Sequence, residues 1–143
     1  MSAPAATSLL TTMGRILRIR LKSDEDTLRI VRAGVTSSTY RRVARILKLP
    51  PDLVAPASTI RRRLSSKSRF SLEESERVIR LTRVYSEALQ LFSGDRDAVL
   101  EWFTTPADIV QGHDAISPMK LAATEVGARM VESRIQRTAH GFM

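Results

Sequence analysis

The chain contains no cysteine. Disulfide frameworks, zinc ribbons, thiol nucleophiles and iron–sulfur sites are excluded together, and the composition suits a reducing, cytoplasmic setting. Histidine is scarce: His113 and His140 stand far apart with no clustered carboxylate, so no metal site is expected. Aromatic residues make up only 5% of the 143 residues. No apolar run approaches the length that crosses a bilayer. No glycine-rich phosphate loop is present in either usual spacing. Acidic residues are missing from the first 22 positions, which carry Arg15, Arg18, Arg20 and Lys22. An arginine-rich, acid-poor start can be a transit peptide, and no long apolar core marks a secretory signal. Leu9, Leu10, Met13, Ile16, Leu17 and Leu21 recur near helical spacing, which favours a packing helix after a short tail over 1–22.

What is there is an ordinary globular balance, 43% hydrophobic and 27% charged, enough for one domain or two very small ones. The net charge of +8 is unevenly placed. Up to Phe70 there are 15 basic and 4 acidic residues; beyond it there are 8 basic and 11 acidic. A basic half suits a polyanion and a near-neutral half suits something else.

Capping residues divide the chain into helices. Ser23 before Asp24, Glu25 and Asp26 starts one that Gly34 stops. A cap within Thr36–Ser38 opens the next, striped by Tyr40, Val43, Ala44, Ile46 and Leu47 and closed by Pro50-Pro51. Pro51 to Ala55 reads as a short helical turn, and Ser58 as the cap of a helix from Thr59 to about Ser65. Ser71 and Glu74 form a capping box before a long helix to about Phe92. Asp95 caps a helix ending before Pro106, and Ser117-Pro118 starts another. Leu121, Ala122 and Val126 are expected to face inward there. Gly127 either ends that helix or admits a close neighbour. A last helix from about Ala128 ends at Gly141. No segment reads as sheet, so the fold class is all-α with eight or so helices.

Thr36 to Leu64 has the layout of a helix-turn-helix region. Tyr40–Leu49 is the scaffold, Pro51–Ala55 crosses near the nucleic-acid backbone, and Ser58 to Ser65 enters the major groove. Arg61, Arg62 and Arg63 point three ways around that helix, so one or two can read bases while others hold phosphates. Ser58 and Thr59 can bond phosphate or bases, and Arg41, Arg42 and Arg45 extend the basic surface. The turn is rich in proline, and Lys48 stands where a turn glycine often falls.

Catalytic chemistry is not in evidence. Glu73, Glu74 and Glu76 are explained by a helix start. Ser117-Pro118-Met119-Lys120 matches a nucleophile pattern by chance, without its companion motifs and with Ser117 already a cap. The chain is not expected to be an enzyme, and no cofactor is expected.

From the arginine pair Arg62-Arg63 onward an ordered set of residues carries a resemblance. It runs through Leu72-x-x-Glu-Ser-Glu-Arg77, Ala88 to Phe92-x-Gly94, Ala98, Trp102 and Gly112. It continues with Ser117-Pro118-x-x-Leu121, Thr124-Glu125-x-Gly127, Val131 and Arg137-x-x-His140-Gly141. Over roughly Val35 to Met143 the chain resembles the Xre/MbcA/ParS-like antitoxins, partners of RES-domain toxins. It departs in having Ser117 where the family more often has threonine.

The resemblance implies an Xre/Cro-like helix-turn-helix DNA-binding domain at 23–69 and a helical toxin-binding domain at 70–143. It implies an antitoxin that blocks a NAD-degrading RES-domain toxin and binds the promoter DNA of its own operon, as a homodimer within a larger toxin–antitoxin complex. The residues expected to meet the toxin are Arg134, Arg137, His140, Gly141, Phe142 and Met143, a basic helix end with an apolar tail. Arg134 and Arg137 can equally offset the negative end of the helix. Two other functions fit the residues. One is a stand-alone dimeric repressor; the other is a nonspecific nucleic-acid-binding arm whose affinity falls steeply with salt.

Overall fold

The structure is a computed structural model that describes residues 5–140, with side chains from Leu9 to Ala139. The described residues form eight helices and one isolated antiparallel bridge, Ala107 to Ile116. The helices are α1 (Ala5–Leu17), α2 (Asp24–Ala33), α3 (Ser37–Leu47), α4 (Ala57–Ser66), α5 (Leu72–Leu91), α6 (Arg96–Thr104), α7 (Pro118–Leu121) and α8 (Glu125–His140).

α5 is the axis of the fold. Its 20 residues begin at the expected capping box, in which Ser71 Oγ accepts from Glu74 N–H and the Glu74 carboxylate accepts from Ser71 N–H. α1, α2, α3, α6 and α8 all pack on it. It is buried on more than one face: Val78, Leu81, Val84, Tyr85 and Ala88 are joined by Ile79, Ser75, Thr82 and Ser86. The two mid-helix hydroxyls stay satisfied within the helix, Thr82 donating to Val78 C=O and Ser86 to Thr82 C=O. One buried cluster runs from Met13 to Ile135, so α1 contributes to the same core as α8.

Two glycines let backbones meet. Gly34, at φ +88°, closes α2 where a Cβ would lie 2.6 Å from Phe70 O. Gly127 sits inside α8, where a Cβ would collide with the Leu121 carbonyl oxygen. It therefore admits a close neighbour and does not end a helix.

Several local expectations are corrected. Pro51–Ala55 is a run of turns and bends, not a turn of helix. Pro50 and Pro51 lack N–H groups, and Leu53 N–H to Pro50 C=O is the local backbone bond. α3 ends earlier than the prolines, at Lys48 in the left-handed region. Ser58 lies within α4 and does not cap it, because the helix begins at Ala57 with Ile60 N–H already bonded to Pro56 C=O. α8 begins at Glu125, and Val126 is 59% exposed, facing outward.

Arg77 fixes the irregular segment before α4. Its guanidinium donates to Val54 C=O at 2.6 Å and to Ala123 C=O at 3.1 Å, and Arg80 reaches the same Ala123 carbonyl at 2.7 Å. The loop that sets α4 and the link between α7 and α8 thus hang from one side of α5.

Candidate nucleic-acid and partner surfaces

α4 is anchored by Ile60, which is buried, and this sets which arginines face out. Ser58, Arg61 and Arg62 are exposed and Thr59 is half-buried. Arg63 turns inward. Its Nε lies 2.6 Å from Glu74 Oε1 and its second nitrogen 3.3 Å from Oε2, a two-pronged pair. It also donates to Arg69 C=O and lies over the Phe70 ring, which stacks on Tyr40. Burial pushes the Glu74 carboxyl up, but the Ser71 N–H and the Arg63 guanidinium outweigh it and hold it below its ordinary value.

α3 meets the end of α4 through Ser37, whose hydroxyl donates toward Arg63 C=O and Ser68 C=O. On α3, Arg41 and Arg45 are exposed. Arg42 is half-buried and donates to Ile16 C=O at 2.7 Å and Arg15 C=O at 3.4 Å, so it closes the C-terminal end of α1. Its burial, with the cations of Arg18 and Arg45, lowers its basicity. Arg18, Arg41, Arg42 and Arg45 line one open cleft of about 460 Å³. Among the described residues none of these four has a carboxylate partner. Such a cluster favours an anion on electrostatic grounds. Arg18 was not among the expected residues. Its signal was the acid-free segment that also holds Arg15 and Arg20.

At the other end, Arg134 is exposed and donates to Asp108 C=O at 3.4 Å, tying α8 to the loop after α6. Arg137 is exposed and borders an open groove of about 410 Å³ with Ile109, Val126 and Met130. The side chain of His140, and Gly141, Phe142 and Met143, lie outside the described residues.

A charged cluster between α5 and α8 has no counterpart in the sequence reading. Arg83 Nε lies 3.0 Å from Glu132 Oε2 and 3.8 Å from Glu87 Oε1. Burial, reinforced by the Glu132 carboxylate, pushes the Glu87 carboxyl up to about 8, against the pull of Arg83. Burial also raises Glu132, but its hydrogen bonds to Glu87 and Arg83 bring it below the ordinary value. At neutral pH Glu87 therefore keeps its proton, and Glu132 carries the charge that meets Arg83. Among the described residues no three His, Cys, Asp or Glu side chains gather to hold a metal ion, and no helix is long and apolar enough to cross a membrane.

The class these features define is an all-helical protein built around one central helix, with a cluster of arginines on its N-terminal side that lack carboxylate partners among the described residues. Its sequence is similar to three proteins named Antitoxin Xre. The one from Yersinia enterocolitica is 40% identical over 86 residues, covering 60% of this chain and 56% of that protein. The one from Photorhabdus laumondii is 37% identical over 82 residues, 57% of this chain and 53% of that protein. The one from Pseudomonas putida is 24% identical over 91 residues, 64% of this chain and 55% of that protein. The chain thus spans about half the length of the curated relatives it matches. These relatives bear out the resemblance to Xre-type antitoxins read from the sequence. No family model matches the chain.

Proposed function

We propose that this protein is an antitoxin that binds and inhibits a NAD-degrading RES-domain toxin through its C-terminal region and represses its own operon by binding promoter DNA. The observation that carries the reading is the similarity to proteins named Antitoxin Xre, at 37–40% identity in the first two relatives. In this reading residues 23–69 bind DNA. α4 enters the major groove with Ser58, Thr59, Arg61 and Arg62, while Arg41 and Arg45 hold phosphates. Arg42 and Arg63 act as positioning residues, since their guanidinium groups are committed to carbonyls and to Glu74. Residues 70–143 bind the toxin, with Arg134, Arg137, His140 and the tail Gly141, Phe142 and Met143 reaching its active site. A homodimer within a larger complex would present two DNA-binding surfaces to a two-fold operator.

The test is to tag the full chain, express it with its neighbouring gene and analyse what co-purifies. A stoichiometric partner that consumes NAD once separated is the expected result. A clean dimer with no partner would instead make it a stand-alone repressor.

A further inference from the structure

A cleft of about 740 Å³ opens between α1, α3 and the turn from α5 into α6. That volume is in the range of small-molecule sites. Arg15 on α1, Arg42 on α3 and Arg96 on α6 all line it. Among the described residues none of the three is ion-paired to a carboxylate. Basic residues from three helices thus border one concavity, with no carboxylate paired to them among the described residues.

An independent observation comes from Tyr85. It lines the same cleft, is only 1% exposed, and its hydroxyl is buried with no hydrogen-bond partner among the described residues. A buried hydroxyl normally finds an acceptor, and leaving it without one is costly. The charge of Arg96, which lines the same cleft, acts on this hydroxyl. Ile46 and Leu89, both partly buried, supply an apolar wall.

The donor set selects the ligand. Two guanidinium forks, the one Arg42 nitrogen not bonded to the α1 carbonyls and a hydroxyl offer more N–H and O–H groups than the two oxygens of a carboxylate can use. A phosphomonoester offers three oxygens and nearly two negative charges. We propose that this cleft binds a small organic phosphate, its phosphoryl group held by Arg15, Arg96 and the Tyr85 hydroxyl, with the Arg42 charge behind them. Its apolar part lies against Ile46 and Leu89.

Phenyl phosphate is the probe, with phenol as its uncharged counterpart, titrated into the full chain while backbone amide shifts are followed. The amides of Gln90, Ser93 and Gly94, which border the cleft, should move saturably at millimolar or lower phenyl phosphate and stay put with phenol. Tyr85→Phe should leave the free protein as stable or more stable, because it removes the orphaned hydroxyl, yet weaken phenyl phosphate about 3- to 10-fold, the worth of one hydrogen bond. Arg96→Ala, at an exposed position, should weaken it at least as much and leave the affinity for duplex DNA unchanged. The proposal is overturned if the wild-type chain shows no saturable shift, or if both variants bind phenyl phosphate as well as it does. It is equally overturned if Arg96→Ala weakens duplex DNA as much as phenyl phosphate, which would assign the cleft to the nucleic-acid surface.

Discussion

Arg63 and Glu74 lie 2.6 Å apart across the loop that joins α4 to α5, and each is mostly buried. Glu74 is also half of the capping box that starts α5, so one carboxylate serves the helix before it and the helix it begins. The third of three consecutive arginines is thereby withdrawn from the solvent face of α4. Arg63→Ala leaves a partly buried carboxylate short of its partner and should cost about 1–3 kcal/mol of folding stability. Arg61→Ala, on the exposed face, should stay within about 0.5 kcal/mol of wild type. Denaturant unfolding of the two variants side by side reads the difference; equal stabilities would show that the pair is energetically idle.

Arg62 belongs to the face that α4 turns outward. If it contacts a base, Arg62→Ala weakens binding to the operator by about 1–3 kcal/mol and leaves binding to random duplex almost unchanged. If it holds a phosphate, both affinities fall together and the slope of affinity against salt drops by roughly one. Titrations at several salt concentrations separate the two, and no effect on either duplex would remove Arg62 from the interface.

Stability should decline with rising pH across the range set by Glu87. In the folded protein its carboxyl is raised from 4.5 to about 8, so the folded state holds a proton that the unfolded chain has released. The folded state then binds more protons than the unfolded one between those values. The stabilisation is fully present below about 4.5 and is lost as pH rises through about 8. Glu87→Gln mimics the protonated form and should flatten that part of the profile, with its largest gain above pH 8. Thermal melts of both proteins across the window check this. A profile unchanged by the substitution would mean that Glu87 is ionised in the fold.

For the proposed inhibition, deleting residues 140–143 should restore NAD consumption in a complex that still assembles. Activity assays on the co-purified pair measure this directly. Full inhibition by the truncated chain would place the inhibitory contact elsewhere on the C-terminal half.

Much of the fold was legible because helix ends carry local chemistry. Ser23, Thr36, Ser71, Asp95 and Ser117 all cap where their side chains suggested, each accepting from a backbone N–H in the first turn of its helix. Local chemistry misled at Pro51–Ala55, where a proline that could open a helix instead sits in a loop held by the distant Arg77. It misled at Val126, which faces outward beside the close approach at Gly127. A helix at the centre of a bundle, such as α5, is buried on several sides, and Thr82 and Ser86 pass as surface residues in a periodicity count. At the candidate surfaces, Arg42 and Arg63 look in sequence like their neighbours Arg41 and Arg62. Only the carbonyls of α1 and the carboxylate of Glu74 distinguish them. The Arg83–Glu87–Glu132 cluster spans two helices: Arg83 and Glu87 stand four apart on α5, but nothing local announces Glu132.

The pair of carbonyls held by Arg77 has a consequence for the order in which the chain matures. Val54 lies 23 residues before Arg77 and Ala123 lies 46 residues after it. During synthesis the loop preceding α4 has no anchor until α5 has left the ribosome, and the anchor is complete only when α7 follows. The basic surface that carries α4 is therefore finished by residues translated after it. A nascent chain stalled before Arg77 would carry the arginines of α4 on an unset loop.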